Sequence, residues 1–499
     1  MNRRDCIRNL SAAAGTLAAP AWLRAAARPA GANRKPNIVV IMVDDMGFSD
    51  IGCYGGEIAT PNIDRLAAGG LRFTQFYNNA KCEPTRNSLF TGNYPGWQIK
   101  GETAQWPAEM KAAGYRAYMT GKVHAHSAGG FDRACTMTSG GNYWNLRRDG
   151  KDGPPGPLRI DGKESPEFVT SHPKFYTTDV FTDFALDYLE QDKASDKPFF
   201  LYVAYNAPHY PLHAWPEDIA KYRGKYMIGW DELRRRRCEK QIELGIIDKT
   251  LKMSPRDEKV PEWKSLDEKT KHSWDLHMAV YAAMIDRIDQ NVGRILAKIR
   301  ELGQEDNTVV LFLSDNGGCG KSCNAANDTD SEPGPRNGWH YVGTGWANAS
   351  NTPFRKFKTW DHEGGISTPL IAYWPGRIAP GSFDRHWGNV MDISATCYDL
   401  AGHKPAAKIG GLSLAPAFDG RKRPLHDALC WAIIKGKAAR RGPWKAVRYA
   451  DESWRLFNVE SDRTELNDLS SKNPDKLNEL VSQWDTWSKK CRFIGENDE

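Results

Sequence analysis

The sequence has little of what would hold a protein in a membrane or on nucleic acid. No apolar run reaches the roughly 20 residues that a membrane-spanning helix needs. Lys and Arg outnumber Asp and Glu by only 68 to 62, and this net charge of +6 is dispersed along 499 residues. We therefore expect no stable membrane span and no nucleic-acid partner. The length suits one large domain with a smaller one.

The one concentrated basic run is Arg234 to Arg237. A run of this kind is usually a solvated helix face, and we predict that here rather than a binding patch. A basic rim would still suit a polyanionic substrate.

The N-terminal residues have the order of an export signal. Arg3-Arg4 precedes an apolar, Ala-rich stretch over 10–23, and Ala25-Ala26-Ala27 offers a cleavage site. We predict that residues 1–27 are a twin-arginine-type signal peptide, the alternative being a merely disordered tail. The protein would then be exported, periplasmic or secreted, with the twin-arginine export machinery as a partner.

Ten cysteines are present, and two of them, Cys6 and Cys82, lie in the predicted signal and in a motif described below. Cys319 and Cys323 lie four apart in a Gly-rich segment. In an exported protein they are the best candidates for a disulfide bond. A zinc site is less favoured, because no Cys/His pair completes one at the usual spacing.

Continuous apolar runs predict strands that are buried on both faces of a sheet. They cover residues 38–43, 199–204, 309–313, 369–374 and, more briefly, 115–119. Helical patterns lie between them at 177–190 and at 276–302, where apolar residues recur every four positions. Strands that alternate with helices predict an α/β layer fold.

After about residue 425 the pattern changes. Short strand-like runs at 429–433, 444–449 and 454–459 precede a helix over 474–489. We predict a main domain over 28–425 and a small domain over 426–499, built from an antiparallel sheet and one helix. The Gly-, Asn- and Asp-rich segment 319–351 is expected to be an irregular, functional loop.

Paired polar side chains follow two of the predicted strands. Asp44-Asp45 closes the first strand, and Asp315-Asn316 follows the run at 309–313. Adjacent carboxylates repel unless a cation joins them, and ligands of α/β sheets gather at the carboxyl ends of strands. Their oxygens suit Ca²⁺ or Mg²⁺. We predict a metal site there, and we interpret Asp50 as a turn or capping residue.

Cationic groups follow other strand-like runs. They are Lys122 and His124 after 115–119, His209 after 199–204, and the segment Arg355-Lys356-Phe357-Lys358. Such groups beside a dication predict an anion pocket. The other candidates, His126, His213 and His362, are expected to be structural or to lie at the substrate rim.

A cysteine motif completes the set. Cys82-Glu83-Pro84-Thr85-Arg86 is followed by Leu89-Phe90-Thr91-Gly92, and Pro84 suits the first turn of a helix that starts just after the cysteine. The positive end of the helix dipole would favour an anion there.

Together these residues resemble the type I sulfatases, the formylglycine-dependent, arylsulfatase-like members of the alkaline phosphatase superfamily. The matching pieces, in family order, are Asp44-Asp45, Cys82 to Arg86, Gly121-Lys122-Val123-His124, Ala207-Pro208-His209, Asp315-Asn316-Gly317-Gly318, and Lys358 with Glu363-Gly364-Gly365. Segment 454–469 resembles the family's small C-terminal domain. Two departures are Thr85 in place of Ser and Lys356-Phe357 in place of Gly-Gly, so that Lys356 rivals Lys358.

The resemblance implies a large mixed, mostly parallel sheet sandwiched by helices and a hydrolase of sulfuric esters. The export signal and the large loops favour a sulfated carbohydrate over a small aryl ester as the substrate. Ca²⁺ would be bound by Asp44, Asp45, Asp315, Asn316 and the modified residue 82. A maturation enzyme would oxidise Cys82 to formylglycine (3-oxoalanine), whose hydrate attacks sulfur. Arg86 and Lys122 would hold this nucleophile, and His124 would take its second proton. Lys358 and His209 would bind the sulfate, and His209 would protonate the leaving oxygen.

Two other functions stay open at this point. One is a phosphonate or phosphodiester hydrolase on the same scaffold. The other is a catalytically dead protein that binds sulfated glycans. Specificity is expected to reside in segments 126–175, 210–265 and 319–351.

Overall fold

The computed structural model describes residues 34–96, 105–124, 129–138, 143–144, 158–321, 332–336 and 338–491. The predicted signal peptide of residues 1–27 lies outside these ranges, as do His126 and Cys323.

The strands are β1 (Asn37–Val43), β2 (Leu71–Tyr77), β3 (Arg116–Lys122), β4 (Arg133–Met137), β5 (Leu158–Ile160), β6 (Lys163–Glu164), β7 (Phe199–Ala204), β8 (Thr308–Ser314), β9 (Ser367–Tyr373), β10 (Ser382–Asp384), β11 (Gly388–Asn389), β12 (Leu429–Ile433), β13 (Gly436–Arg441), β14 (Trp444–Tyr449) and β15 (Arg455–Asn458). The helices are α1 (Pro61–Ala68), α2 (Cys82–Thr91), α3 (Trp106–Ala112), α4 (Pro166–Ser171), α5 (Thr177–Gln191), α6 (Pro216–Ala220), α7 (Gly229–Glu243), α8 (Glu268–Glu301), α9 (Thr344–Ser350), α10 (Glu363–Ile366), α11 (Met391–Leu400), α12 (Ala415–Phe418) and α13 (Pro474–Ser488).

The large sheet is mixed and mostly parallel, as expected. Its strand order is β10-β2-β9-β8-β1-β7-β3-β4-β5-β6, with β11 also paired to β2. The central strands β8, β1, β7, β3 and β4 are parallel, whereas β9 runs antiparallel to both β2 and β8. Parallel central strands place their carboxyl ends at one edge, and this edge carries the site described below.

Strand β1 shows why an unbroken apolar sequence forms the centre of this sheet. Val39, Ile41 and Val43 pack into a core with α1, α5 and α8, while the alternate residues Ile38, Val40 and Met42 pack into a second core with α2, α3 and α11. Side chains of a strand point alternately to its two faces, so a strand between two helical layers needs apolar residues throughout. The predicted layer fold is confirmed.

The C-terminal residues form the predicted small antiparallel sheet. Its order is β12-β13-β14-β15, and Leu480 and Trp484 of α13 pack on one face. The other face packs against Tyr77 of the large sheet and against Ile366, the last residue of α10. Strand β13 was not predicted from the sequence. The domain boundary at 425/426 stays a prediction, and the first strand of the small sheet begins at Leu429.

The prediction of an irregular loop over 319–351 is wrong at its end, because Thr344–Ser350 is helical. Trp346, Ala347 and Ala349 of this helix are buried against the main core. The polar composition of the segment concealed a short apolar face, and tertiary packing decides its conformation.

The interpretation of Arg234 to Arg237 as a solvated face is wrong for two of its members. Arg234 and Arg237 are buried, and Arg237 donates hydrogen bonds to Asp50 at 2.6 Å and to Glu57 at 2.8 Å. Arg235 and Arg236 are exposed and pair with glutamates of their own helix. One turn of helix places four consecutive residues on different sides of the helix. Two of these arginines therefore face the protein interior and two face solvent.

Buried ion pairs also join the small sheet to the large one. Lys445, which is fully buried in β14, lies 3.0 Å from Glu363 and 2.7 Å from Glu465. Arg463 contacts the second oxygen of Glu363 at 3.0 Å. The segment that leads into α10 is thereby fixed to the C-terminal sheet, because separating such charges leaves them unpaired in a dry interior.

No helix in the described parts of the chain is both long and apolar enough to cross a membrane. Eight cysteines within the described ranges are free thiols, Cys319 among them. Its expected partner, Cys323, lies outside the described residues.

The adjacent residues Arg237 and Arg236 provide a matched test of the buried pairing. Arg237→Met should lower the free energy of unfolding by about 3–5 kcal/mol, because it leaves the buried Asp50 carboxylate without its cation. Arg236→Met removes only an exposed pair with Glu232 and should leave the denaturant midpoint unchanged. Urea unfolding of both variants measures this, and equal midpoints would contradict a structural role for Arg237.

Candidate active site

Two neighbouring parallel strands bring the predicted carboxylates together. Val43 of β1 and Ser314 of β8 are register partners, so Asp44, Asp45 and Asp315 leave the sheet side by side. All three are buried, and the Asp45 amide N–H donates to Asp315 Oδ1 at 3.3 Å. Asp45 has a φ of +66°, a left-handed conformation that turns its side chain toward the site.

Several oxygens of this cluster lack a hydrogen-bond partner within the described structure. They are Asp44 Oδ1, Asp45 Oδ2 and Asn316 Oδ1, all buried. A buried oxygen without a partner is costly unless a cation or water binds it, and carboxylate and amide oxygens are the ligands of Ca²⁺. Ligand atoms of Asp44, Cys82 and Asp315 lie within 4.8 Å of one another, as do those of Asp44, Asp45 and His209. The expected metal ligands therefore fit a divalent cation, with His209 beside them.

Cys82 is the first residue of α2, one position nearer the helix than expected. It is 5% exposed. Thr85 supports the turn, since its hydroxyl accepts the Asn79 amide N–H at 2.9 Å. Burial raises the pKa of the Cys82 thiol, although Lys122 and Lys358 oppose this. The residue at 82 thus faces the carboxylates from the start of a helix.

Arg86 and Lys122 carry positive charge into the cluster. Arg86 holds Asp315 Oδ2 with two nitrogens at 2.8 and 3.0 Å, and its third nitrogen donates to the Lys122 carbonyl at 3.2 Å. Lys122, the last residue of β3, forms a buried ion pair with Asp44. Burial alone would lower the pKa of Lys122, but Asp44 raises it above its usual value.

Lys358 and His209 meet at Asp45. Lys358 Nζ lies 2.5 Å from Asp45 Oδ1, and His209 Nε2 lies 3.6 Å from Asp45 Oδ2. His209 Nδ1 is 2.6 Å from the Tyr210 carbonyl, which fixes the ring and aims Nε2 at the cluster. The rival residue, Lys356, instead pairs with Asp257 at 2.8 Å.

His124 also lies at the site, and burial lowers its pKa to about 2, with Lys122 and Arg86 adding to this effect. Its Nε2 is buried without a hydrogen-bond partner in the described structure. Burial likewise lowers the pKa of His209 to about 4, against the opposing charges of Asp45 and Asp44. Both rings are therefore neutral at pH 7 before an anion binds.

The acidic groups differ in charge although they are neighbours. Burial would raise the pKa of Asp44, but Lys122 and the other cations hold it below its usual range. Burial and the charge of Asp44 raise the pKa of Asp315 to about 7. Because each carboxylate disfavours ionisation of the next, full ionisation of the cluster depends on nearby positive charge, to which a bound dication would add.

Of the remaining candidates, Asp50 is a turn residue as expected, and its carboxylate accepts the Gly47 amide N–H at 2.8 Å. His213 is structural, with Nε2 at 2.6 Å from the Gly338 carbonyl. His362 is the N-cap residue of α10 and is buried away from the cluster of carboxylates. His126 lies outside the described residues.

Three tyrosines that support the site were not found from the sequence. Tyr281 of α8 donates to the Asp45 carbonyl at 3.1 Å, Tyr143 donates to the His209 carbonyl at 2.6 Å, and Tyr202 lies 3.4 Å from Arg86. Each lies far along the chain from its partner, and no local motif marks it.

Steric contact explains why glycines occupy the motifs Gly317-Gly318 and Gly364-Gly365. A Cβ on Gly317 would lie 2.0 Å from the Gly364 carbonyl oxygen, and the Gly317 amide N–H donates to the Gly365 carbonyl at 3.1 Å. The turn after Asn316 and the start of α10 therefore pass each other backbone to backbone.

A cavity of about 820 Å³ opens onto the cluster. Its inner part is lined by Cys82, Lys122, His124, His209 and Lys358. Tyr210, Trp339, Trp360 and Tyr449 line it further out. The site therefore combines a small charged pocket with a larger, aromatic-lined space.

Known proteins resemble the chain over nearly its whole length. A family model described as Sulfatase matches residues 36–403. An uncharacterized sulfatase of Schizosaccharomyces pombe is 31% identical over 91% of this chain and 93% of its own length. The arylsulfatase of Klebsiella aerogenes is 28% identical over 80% and 94%, and the N-acetylgalactosamine-6-sulfatase of Rattus norvegicus is 30% identical over 78% and 66%.

Among solved structures, Ps i-CgsB in complex with k-i-k-neocarrahexaose superposes with a TM-score of 0.68, at 25% identity over 93% of this chain and 96% of that one. The phosphonate monoester hydrolase of Agrobacterium radiobacter shares the fold, with a TM-score of 0.57 at 17% identity over 92% and 96%. By its family match, its relatives and its fold, this chain belongs to the sulfatases of the alkaline phosphatase superfamily.

Proposed function

We propose that this sulfatase hydrolyses sulfate esters of carbohydrates, with a formylglycine formed from Cys82 and with Ca²⁺ held by Asp44, Asp45, Asp315, Asn316 and residue 82. The observation that carries this proposal is the position of Cys82 at the start of α2, within ligand distance of Asp44 and Asp315. Bound Ca²⁺ supplies positive charge that acidifies a hydroxyl and polarises the sulfate. A hydrated aldehyde at residue 82 would supply a hydroxyl nucleophile, and its second hydroxyl would expel the sulfate and restore the aldehyde, so that no water has to attack sulfur; addition of water to the aldehyde would then re-form the hydrate.

The side chains around this nucleophile have separable roles. Arg86 and Lys122 neutralise Asp315 and Asp44 and so hold the carboxylates around residue 82. Lys358 and His209 lie at Asp45, where they can bind sulfate oxygens on the side from which the alcohol leaves. A bound sulfate adds negative charge that raises the pKa of His209, so that Nε2 can donate a proton to the leaving oxygen. Burial and the charges of Lys122 and Arg86 keep His124 neutral, and a bound sulfate would raise its pKa so that Nε2 can accept a proton.

A carbohydrate substrate is supported by three observations. The cavity of about 820 Å³ is larger than a sulfate needs, and its outer part is aromatic. One relative is named for N-acetylgalactosamine 6-sulfate, and one solved structure contains a carrageenan-type hexaose. Turnover of a phosphodiester faster than that of every sulfate ester tested would favour the alternative hydrolase instead.

Two further proposals concern the whole chain. We propose that residues 1–27 direct export and that residues 426–499 form a separate small domain beside the main one. Edman sequencing of the exported protein tests the proposed signal peptide. An N-terminus that lies before residue 28 would contradict it.

Cys82 should carry an aldehyde when the protein is produced with a maturation enzyme. The tryptic peptide ending at Arg86 should be lighter by about 18 Da than the thiol form, since sulfur and two hydrogens are replaced by oxygen. Cys82→Ala should lower kcat by a factor on the order of 10⁶, as expected for loss of a covalent nucleophile. Full activity of protein with unmodified Cys82 would contradict the role.

Ca²⁺ should copurify with the protein at one ion per chain, and chelation should lower the melting temperature, since an ion that binds only the folded state stabilises it. Asp315→Asn should lose both the ion and the activity while retaining the fold. Asp306→Asn is the control, because Asp306 is exposed at the opposite end of β8. Elemental analysis of the purified variants measures the bound ion. Stoichiometric zinc, or an ion that Asp315→Asn retains, would contradict a Ca²⁺ site at Asp315.

His209→Ala should act differently on different leaving groups. Loss of a general acid should slow turnover of sugar sulfates by about 10²–10⁴-fold, but should slow an activated aryl sulfate much less, because its phenolate leaves without a proton. The two substrates are each other's control in steady-state assays. An equal loss on both would mean that His209 only positions the sulfate.

A further inference from the structure

The backbone at Lys356 is in a conformation that L-residues rarely adopt. Its φ is +65°, in the left-handed region. A residue other than glycine is strained in this conformation, so contacts with the surrounding structure must hold it there. This chain has lysine where the sulfatase pattern has glycine. Because lysine is strained at this position and glycine would not be, we infer that the lysine side chain has a function.

The ammonium group of Lys356 is fixed between two partners. It lies 2.8 Å from Asp257 Oδ2 and 4.7 Å from the centroid of the Trp360 ring. Both Lys356 and Asp257 are buried. Asp257 is itself held, since its amide N–H donates to Asn348 Oδ1 at 3.2 Å. Lys356 therefore joins the 251–262 segment to the segment that carries Lys358.

Trp360 continues this connection into the C-terminal sheet. Its ring stacks on Tyr449, the last residue of β14, with centroids 3.7 Å apart and planes at 16°. Asp257, Lys356, Trp360 and Tyr449 form one chain of contacts across three parts of the sequence. We call these four residues the outer wall.

The outer wall faces the same cavity as Cys82 but does not contact the carboxylates. All four of its residues line that cavity, and Trp360 and Tyr449 are only half-buried. Lys358, two residues after Lys356, instead reaches Asp45. The outer wall can therefore meet only the part of a substrate that extends beyond its reacting sulfate.

Its chemistry is that of a sugar-binding surface. Trp360 is covered by Tyr449 and by the Lys356 ammonium, but the second face of Tyr449 is a flat aromatic surface that can pack against the C–H face of a pyranose. The lysine and the carboxylate beside it can donate to and accept from the sugar hydroxyls. We propose that the outer wall binds the leaving-group sugar and that Lys356 is the residue of this wall that donates to a sugar hydroxyl. This inference rests on the proposed sulfatase activity toward carbohydrates and adds which residues select the alcohol.

The test compares Lys356→Met with Lys358→Met in the matured, Ca²⁺-loaded enzyme. The substrates are N-acetylgalactosamine 6-sulfate, glucosamine 6-sulfate, sulfated carrageenan oligosaccharides and 4-nitrophenyl sulfate, with inorganic sulfate as an inhibitor. The inhibition constant of sulfate reports on the inner charged pocket alone. The KM for sugar sulfates reports on both the inner pocket and the outer wall.

Lys356→Met should raise KM for sugar sulfates about tenfold or more, as for a lost charge-assisted contact, with a much smaller change in kcat and in the inhibition constant of sulfate. Lys358→Met should raise the inhibition constant of sulfate about tenfold or more. Tyr449→Leu, at the outer end of the same wall, should repeat the sugar-specific rise in KM and serves if Lys356→Met does not fold.

Three results would overturn the inference. One is a rise in the inhibition constant of sulfate in Lys356→Met as large as in Lys358→Met, which would place Lys356 in the sulfate pocket. Another is an unchanged KM for sugars in Tyr449→Leu and in folded Lys356→Met. The third is a wild-type enzyme that hydrolyses 4-nitrophenyl sulfate but none of the sugar sulfates, which would overturn both this inference and the proposed carbohydrate substrate. Failure of the sulfatase chemistry itself is distinguishable, since the wild type would then hydrolyse no sulfate ester.

Discussion

Repulsion among three buried carboxylates is the constraint around which this molecule is built. Asp44, Asp45 and Asp315 stand at the ends of β1 and β8, where almost no water reaches them. Charges a few ångströms apart in such a medium interact by several kcal/mol, so the site needs compensating positive charge. Lys122, Lys358 and Arg86 supply positive charge, and the three oxygens that lack hydrogen-bond partners within the described residues are ligand atoms that suit a cation.

A second layer of buried ion pairs fixes the segments that carry these groups. Arg237 binds Asp50 and Glu57, which holds the turn after the first carboxylates. Lys445 binds Glu363 and so holds the segment after Lys358. A displacement of 1 Å in a charged site changes binding and rate strongly, and such pairs resist that displacement. The small sheet is therefore part of the support of the active site.

The sequence revealed the inner part of the site and much less of its surroundings. Apolar runs predicted β1, β7 and β8. The polar pairs that follow β1 and β8 could be placed side by side with one rule alone, that parallel strands end at one edge of the sheet. The pattern of charges in the sequence did not predict which charged residues are buried, because their burial depends on partners that are distant in the sequence. Arg237 looked like its exposed neighbour Arg236, and nothing near Tyr281 in the sequence shows that it contacts Asp45. Such contacts join residues more than a hundred positions apart, and a single sequence carries no record of them.

The enclosure of Cys82 sets an order of events. Its side chain lies under the finished fold with 5% of its surface exposed, between the first turn of α2 and the ends of two central strands. A second protein can reach this thiol only while the chain is still open. Any enzyme that alters Cys82 therefore competes in time with the closing of the sheet, and, under the proposed maturation of Cys82, the fraction of active molecules would be a kinetic outcome of synthesis. Slower folding would raise that fraction, and variants that fold faster would lower it without touching a single catalytic group.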